Sequence, residues 1–211
     1  MRVFDRRVQF DERSRNFPIR ALLGTSKPRS YTWSVGTHLN QQSEGACVAF
    51  AWVHELIARP VVKKGFGEAE AREIYKAAQK VDQWPGEAYS GTSVLAGAKV
   101  LKERGLIKEY RWAFGLDDLR AVLGARGPAV LGLNWYSGMF EPDGTGRIRP
   151  TGSLAGGHAI LAFSNSEKHE RIWLWNSWGK SWGVNGAAYL THEDLDKLLK
   201  EQGEACIPVV R

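Results

Sequence analysis

Between Gly45 and Pro60 the chain reads ACVAFAWVHELIAR. Small and apolar side chains fill nearly every position of its first turns. A helix built from this run, over about 46–58, has no polar face to leave in water, so other elements have to sheathe it. Pro60 cannot continue the helix and stops it. The central question is why a cysteine stands at its start. Cys47 follows Ser43, Glu44, Gly45 and Ala46, a tight turn of small side chains through which another molecule can approach. A thiol there feels the positive end of the helix dipole, which favours the thiolate. A buried cysteine is equally a small hydrophobe, and position alone does not decide between the two.

With 211 residues the chain is long enough for one large domain or two small halves sharing a cleft. No stretch approaches the ~20 consecutive apolar residues of a membrane span. The charged opening MRVFDRRVQFDERSR has no apolar signal core, so a cytoplasmic protein is expected. The net charge of +6 is concentrated there: residues 1–30 hold eight Lys/Arg against three Asp/Glu, a charge of +5. A solvated basic arm accounts for this, and nucleic-acid binding needs more than an arm. The two cysteines, Cys47 and Cys206, make no disulfide framework and no C-x-x-C pair, and the five histidines have no metal-ligand spacing. No metal and no cofactor are therefore expected, and a reducing compartment fits this cysteine usage.

The first half reads as helical. After the run at 46–58, Glu68–Lys80 has helical composition with Ala69, Ile74, Ala77 and Ala78 as its inner face, and Ser93–Glu103 forms a third helix before Gly105. The turn-rich stretch DQWPGEAYSGT (82–92) is long for a plain connection and reads as a working loop. The second half changes character. A short helix at Asp117–Ala125 is followed by the β-like runs AVLGLNWY, GGHAILAFS, RIWLWNSWG and AAYL, and then an amphipathic helix at 191–203 with Leu195, Leu198 and Leu199 inward. Helices first and strands second predict an α+β fold. The expected division is a basic arm and strap (1–30), a mainly helical lobe (31–114) and a mainly β lobe ending in a helix (115–211), with a site between the lobes. Within the arm, a mobile leader is expected to about Asn16. The apolar stretch FPIRALLG (17–24) then docks as a strap, its rival being a short propeptide lying in the cleft.

A nucleophilic cysteine needs a base, and the base needs an orienting partner. In GGHAILAFSNSEKHERIWLWNSWG, two β-like runs flank a polar segment. A hairpin centred near residue 167 sets His158 directly opposite Asn176, with Cβ atoms about 4.5–5.5 Å apart. The Asn carbonyl then fixes one ring nitrogen and leaves the other for Cys47. Attack on an amide carbonyl also needs donors for the developing oxyanion. The Cys47 backbone N–H and the Gln41 side-chain amide, six residues earlier across the turn, are the candidates.

Three segments carry a resemblance: Q-x-x-x-G-A-C-x-x-F-A (41–51), GHA (157–159) and NSWGKSWGVNG (176–186). In order and spacing they resemble the papain family of cysteine peptidases, over roughly residues 31–190. The resemblance implies a two-lobed fold, with a helical lobe carrying Cys47 and an antiparallel, barrel-like β lobe carrying His158 and Asn176. It implies a Cys47 thiolate–His158 imidazolium pair oriented by Asn176, with Gln41 at the oxyanion hole. Trp178 would shield the His–Asn bond. Gly91 and Ser90 would pair with bound peptide, and Gly132, Gly157 and Ala159 would line the pocket for the second residue before the cut. The match is incomplete: Glu44 and Val48 replace the family's first cysteine and its aromatic, and His158 follows Cys47 by only 111 residues. The lost cysteine normally joins a disulfide. The family's long propeptide has no counterpart, as in bacterial or phage relatives, which predicts either no zymogen or a chain already trimmed.

The leading expectation is a monomeric thiol endopeptidase acting on peptide or protein, without membrane or nucleic-acid partners. An amidase or acyltransferase would use the same residues. A non-catalytic binding module of the same fold would be expected to lose Cys47, His158 or Asn176.

Overall fold

The computed structural model describes residues 5–9 and 11–210. A 3-10 turn at Glu12–Asn16 and the short helix α1 (Arg20–Leu23) precede strand β1 (Tyr31–Thr32). Three helices follow, α2 (Cys47–Ile57), α3 (Glu68–Val81) and α4 (Val94–Glu103). Next come β2 (Glu109–Trp112), α5 (Leu116–Ala125), β3 (Ala129–Tyr136), β4 (Leu154–Ser166), β5 (Arg171–Trp175), β6 (Ala187–Thr191), α6 (His192–Lys200) and β7 (Glu204–Val209). Among the described residues the strands form one antiparallel sheet in the order β2-β7-β3-β4-β5-β6, with β1 added beside β4.

The period of two along each strand divides the core. Val130, Ala159, Leu161 and Cys206 face α2, α3 and α4. Their chain neighbours Leu131, Ile160, Ala162 and Ala205 face the opposite side, with Leu119 of α5 and Leu195 of α6. Each half thus has its own apolar core and the sheet separates them. As its sequence demands, α2 is sheathed: every residue from Cys47 to Leu56 is buried.

The α3 inner face is set by Ala71, Ile74 and Ala78, so Ala69 is exposed and the expected phase is off by two residues at its start. The last helix stops at Lys200, and β7 follows it without having been expected from sequence. Of the expected mobile leader, residues 1–4 and 10 lie outside the described residues. The part that is described is docked: Arg6 N–H donates to the Gly157 carbonyl (2.9 Å) and Arg7 N–H to the Thr92 carbonyl (2.9 Å). The stretch from Phe17 lies elsewhere, along the free edge of β2, where Ile19 N–H and the Phe17 carbonyl bond Trp112.

Candidate active site

Cys47 is the first residue of α2 and is wholly buried. At that position its backbone N–H is one of the four that a helix cannot satisfy internally. Gln41 is fixed nearby. Its backbone N–H donates to the Ser177 carbonyl (2.9 Å), its Oε1 accepts from Ser177 Oγ (2.6 Å) and its Nε2 donates to the Glu44 carbonyl (2.8 Å). The loop before Cys47 is thereby tied to the segment that carries Asn176.

His158 and Asn176 meet at 2.8 Å between Nε2 and Oδ1, both buried. Asn176 Oδ1 also accepts the Ser177 N–H at 2.8 Å, which identifies it as the carbonyl oxygen. A carbonyl only accepts, so the proton of the neutral ring sits on Nε2, and Nδ1 is the basic nitrogen.

The contact was expected; the register that makes it was not. β4 and β5 pair Ser166 with Arg171 and Asn165 with Ile172, so the turn (167–170) is centred between residues 168 and 169 rather than at 167. Continued unchanged, that pairing would turn Asn176 to the opposite face from His158. An irregularity between Ala162 and Ser164 takes up one residue, after which Leu161 pairs with Trp175. Carried one residue on, this register sets Asn176 beside Ile160, on the same face as His158 and diagonal to it rather than directly opposite.

Trp178 packs against the His158 ring at 4.7 Å between centroids. Trp135 meets the same ring edge-on at 4.8 Å. This second aromatic was not expected, although the pairing of His158 with Leu133 on β3 sets it nearby. Trp182 contacts Trp178 and donates its Nε1–H to the Phe140 carbonyl (2.8 Å), a packing role.

The backbone N–H groups of Ala159, Asp5 and Val48 serve the Cys47 sulfur. Ala159 is the residue after His158, so the nucleophile and base candidates lie across one seam between α2 and β4. Asp5 belongs to the N-terminal arm, which covers this seam. Gly91 has φ +90°, and a side chain there would run into the Asp5 carbonyl. Ser90 Oγ donates to the Asp5 carboxylate at 2.5 Å. Gly157 accepts the Arg6 N–H (2.9 Å), and Gly132 lies under the Arg6 side chain. The five residues expected to line a peptide site therefore all border the arm or the sulfur.

Electrostatics in the covered cleft differ from the ion pair that the sequence resemblance implies. Burial pushes the Cys47 thiol above its ordinary value, with the Asp5 carboxylate adding to the rise and the backbone N–H groups opposing it. Burial holds His158 down to about 4, against the Asn176 hydrogen bond. Both shifts favour the neutral form, because a buried charge has no water to stabilise it.

No protein-family model matches the chain, and no curated protein matches it in sequence. Solved structures do match. Xylellain, a cysteine protease from Xylella fastidiosa, gives a TM-score of 0.73 at 19% identity, over 99% of this chain and 96% of its own. Digestive procathepsin L2 proteinase from Tenebrio molitor larval midgut gives 0.61 at 17% identity, over 97% of this chain and 77% of its own. Recombinant stem bromelain precursor gives 0.57 at 19% identity, over 98% and 76%. These likenesses are of fold, and with the helical half, the antiparallel sheet and the seam between them the chain has the papain-like α+β fold.

Proposed function

We propose that this protein is a cysteine peptidase that cleaves within peptide or protein chains. One observation carries the reading. An extended stretch of backbone, residues 5–7, crosses a cleft over a buried thiol, held by main-chain hydrogen bonds to Gly157 and Thr92 and flanked by the His158–Asn176 pair. The surface that accepts this stretch accepts any peptide backbone of suitable shape.

In the reaction Cys47 Sγ attacks the scissile carbonyl, with its proton taken up by His158 Nδ1. The negative charge that forms on oxygen is met by the Cys47 N–H and the Gln41 amide. His158 then protonates the leaving amine, and in the second half it activates the water that releases the acyl group. Asn176 holds the ring in the required tautomer, and Trp178 and Trp135 keep water from the His–Asn bond. The arm lies over the sulfur, with the Asp5 backbone N–H directed to it. It covers the site as an inhibitor. When it leaves, water reaches the seam and favours the thiolate–imidazolium pair that burial now suppresses. The arm runs on past the sulfur to Ser93, whose Oγ donates to Gln9 Oε1. That length suits the interior of a chain better than its end.

A quenched fluorescent peptide blocked at both ends tests this. Cys47→Ala and His158→Ala abolish its cleavage, Asn176→Ala retains measurable turnover, and Gln41→Ala lowers kcat by about 10²–10³. Substantial turnover by Cys47→Ala would sink the proposal.

A further inference from the structure

Glu55 follows Cys47 on α2 by eight residues, about 12 Å along the helix and at its far end from the sulfur. It is 1% exposed, and its Oε2 has no hydrogen-bond partner in the protein. Among the described residues one other acid is pushed upward by burial. That acid, Glu204, has Arg6 beside it, with Arg6 Nε donating to Glu204 Oε1 at 2.9 Å. Glu55 has no such cation. Burial alone raises it, to about 8, so at neutral pH it keeps its proton and offers one O–H donor. An acid buried without a partner costs stability, and an apolar side chain of similar size would remove that cost.

The acid stands at the wall of a cavity. About 680 Å³ in volume, the cavity lies at the end of α2, between the strap, the α4–β2 turn and β7. Its apolar lining includes Ile19 and Leu22 of the strap, Val61, Leu106, Ile107 and Ile207. It shares no lining residue with the seam around Cys47 and His158, and its size is ordinary for a small-molecule site. Lys63, Lys108 and Arg126 complete the lining, Lys108 and Arg126 being exposed. None of the three is in an ion pair among the described residues. The cavity is thus polarised, with an unpartnered acid inside and cations at its mouth.

We propose that this cavity binds a small amphipathic carboxylate that carries an uncharged carbonyl in its apolar body. The anionic head sits at Lys63, Lys108 and Arg126, and the carbonyl accepts from Glu55. The site is separate from the peptide cleft and does not depend on the peptidase reading. Each part of the ligand answers one part of the wall. A cationic head meets three like charges at the mouth, and a plain hydrocarbon chain leaves Glu55 without a partner. An occupant also packs on Ile19 and Leu22, so it holds the segment that anchors the arm.

The test is calorimetric titration of the full-length chain with four probes. These are decanoate and three keto-decanoates, with the ketone near the head, in mid-chain or near the tail. At least one keto acid binds about 5–50-fold more tightly than decanoate, the gain expected from partnering a buried donor. The methyl ester of that keto acid, which lacks the anionic head, binds at least about tenfold more weakly than the acid. Glu55→Leu abolishes the preference for the ketone and raises the melting temperature, whereas Glu55→Gln keeps a donor and keeps the preference. Equal affinity for decanoate and all three keto acids, or no binding of any probe, overturns the site. So does an ester that binds as well as its acid, or a ketone preference that survives Glu55→Leu. The probe series and the ester decide in the unaltered chain even if neither variant folds.

Discussion

Two stretches of the N-terminal arm hold the body by opposite means. In front, residues 5–7 are held by main-chain hydrogen bonds, one buried ion pair and the stacking of Arg7 on Trp84 and Tyr89. Behind, Ile19 (1% exposed) and Leu23 (4%) insert into the apolar core beside α5, and Phe17 and Ile19 close the free edge of β2. The bonds in front can all be replaced by water or by another peptide, so that contact is exchangeable. The burial behind has no equivalent replacement, since exposing Ile19 and Leu23 to water is unfavourable in every alternative arrangement. One segment is thus anchored at one end and removable at the other. The 3-10 turn at Glu12–Asn16 joins the two.

The largest effect expected from this contrast is at the back. Ile19→Ala lowers stability by about 2–5 kcal/mol, the usual range for truncating a fully buried isoleucine. Urea unfolding reads the loss. The rate at which native protein is alkylated at Cys47 stays within about twofold, because the front contact does not depend on Ile19 packing. A stability equal to wild type would show that the strap is only draped on the surface.

Next in size is the front. Arg6→Ala removes the buried pair and leaves the strap in place, so the melting temperature falls little. Iodoacetamide labelling of Cys47 accelerates about 10–100-fold, the loss of one charge-assisted hydrogen-bonded pair expressed as an opening equilibrium. The pH profile of labelling moves as well. In the covered cleft burial raises the thiol, so uncovering it shifts the rising limb of the profile to lower pH. An unchanged labelling rate and profile would mean that the arm does not gate the cleft.

The same contrast explains what the sequence reveals. The run around Cys47 is legible because a wholly apolar helix start has few places to go, and the strap is legible because FPIRALLG is apolar. The His158–Asn176 contact is legible from two β-like runs around a polar segment, though its register depends on an irregularity beside Phe163 that no local composition marks. The docking of the leader is not legible. Its partner Glu204 is 198 residues away, on a strand that is short and interrupted by Pro208. Read alone, DRRVQ is a solvated charge run; only a distant carboxylate facing a glycine makes Arg6 different from Arg7.

That difference gives the smallest and sharpest effect. Arg7 lies over Tyr89 at 4.3 Å and Trp84 at 5.1 Å, and its Nε donates to the Ser90 carbonyl at 3.0 Å. This site is partly open to solvent and has no carboxylate among those contacts, so its guanidinium loses less by returning to water. Cation–π contacts at exposed positions contribute about 0.5–1 kcal/mol, which predicts a two- to fivefold rise in Cys47 labelling for Arg7→Ala. Trp84→Ala gives a similar rise alone, and the double variant adds little beyond either change, the signature of a shared contact. An Arg7→Ala effect as large as that of Arg6→Ala would break the distinction and make the arm a two-arginine lock. An effect near zero, with Arg6→Ala opening the cleft as described, would leave Glu204 as the single charged anchor of the front contact.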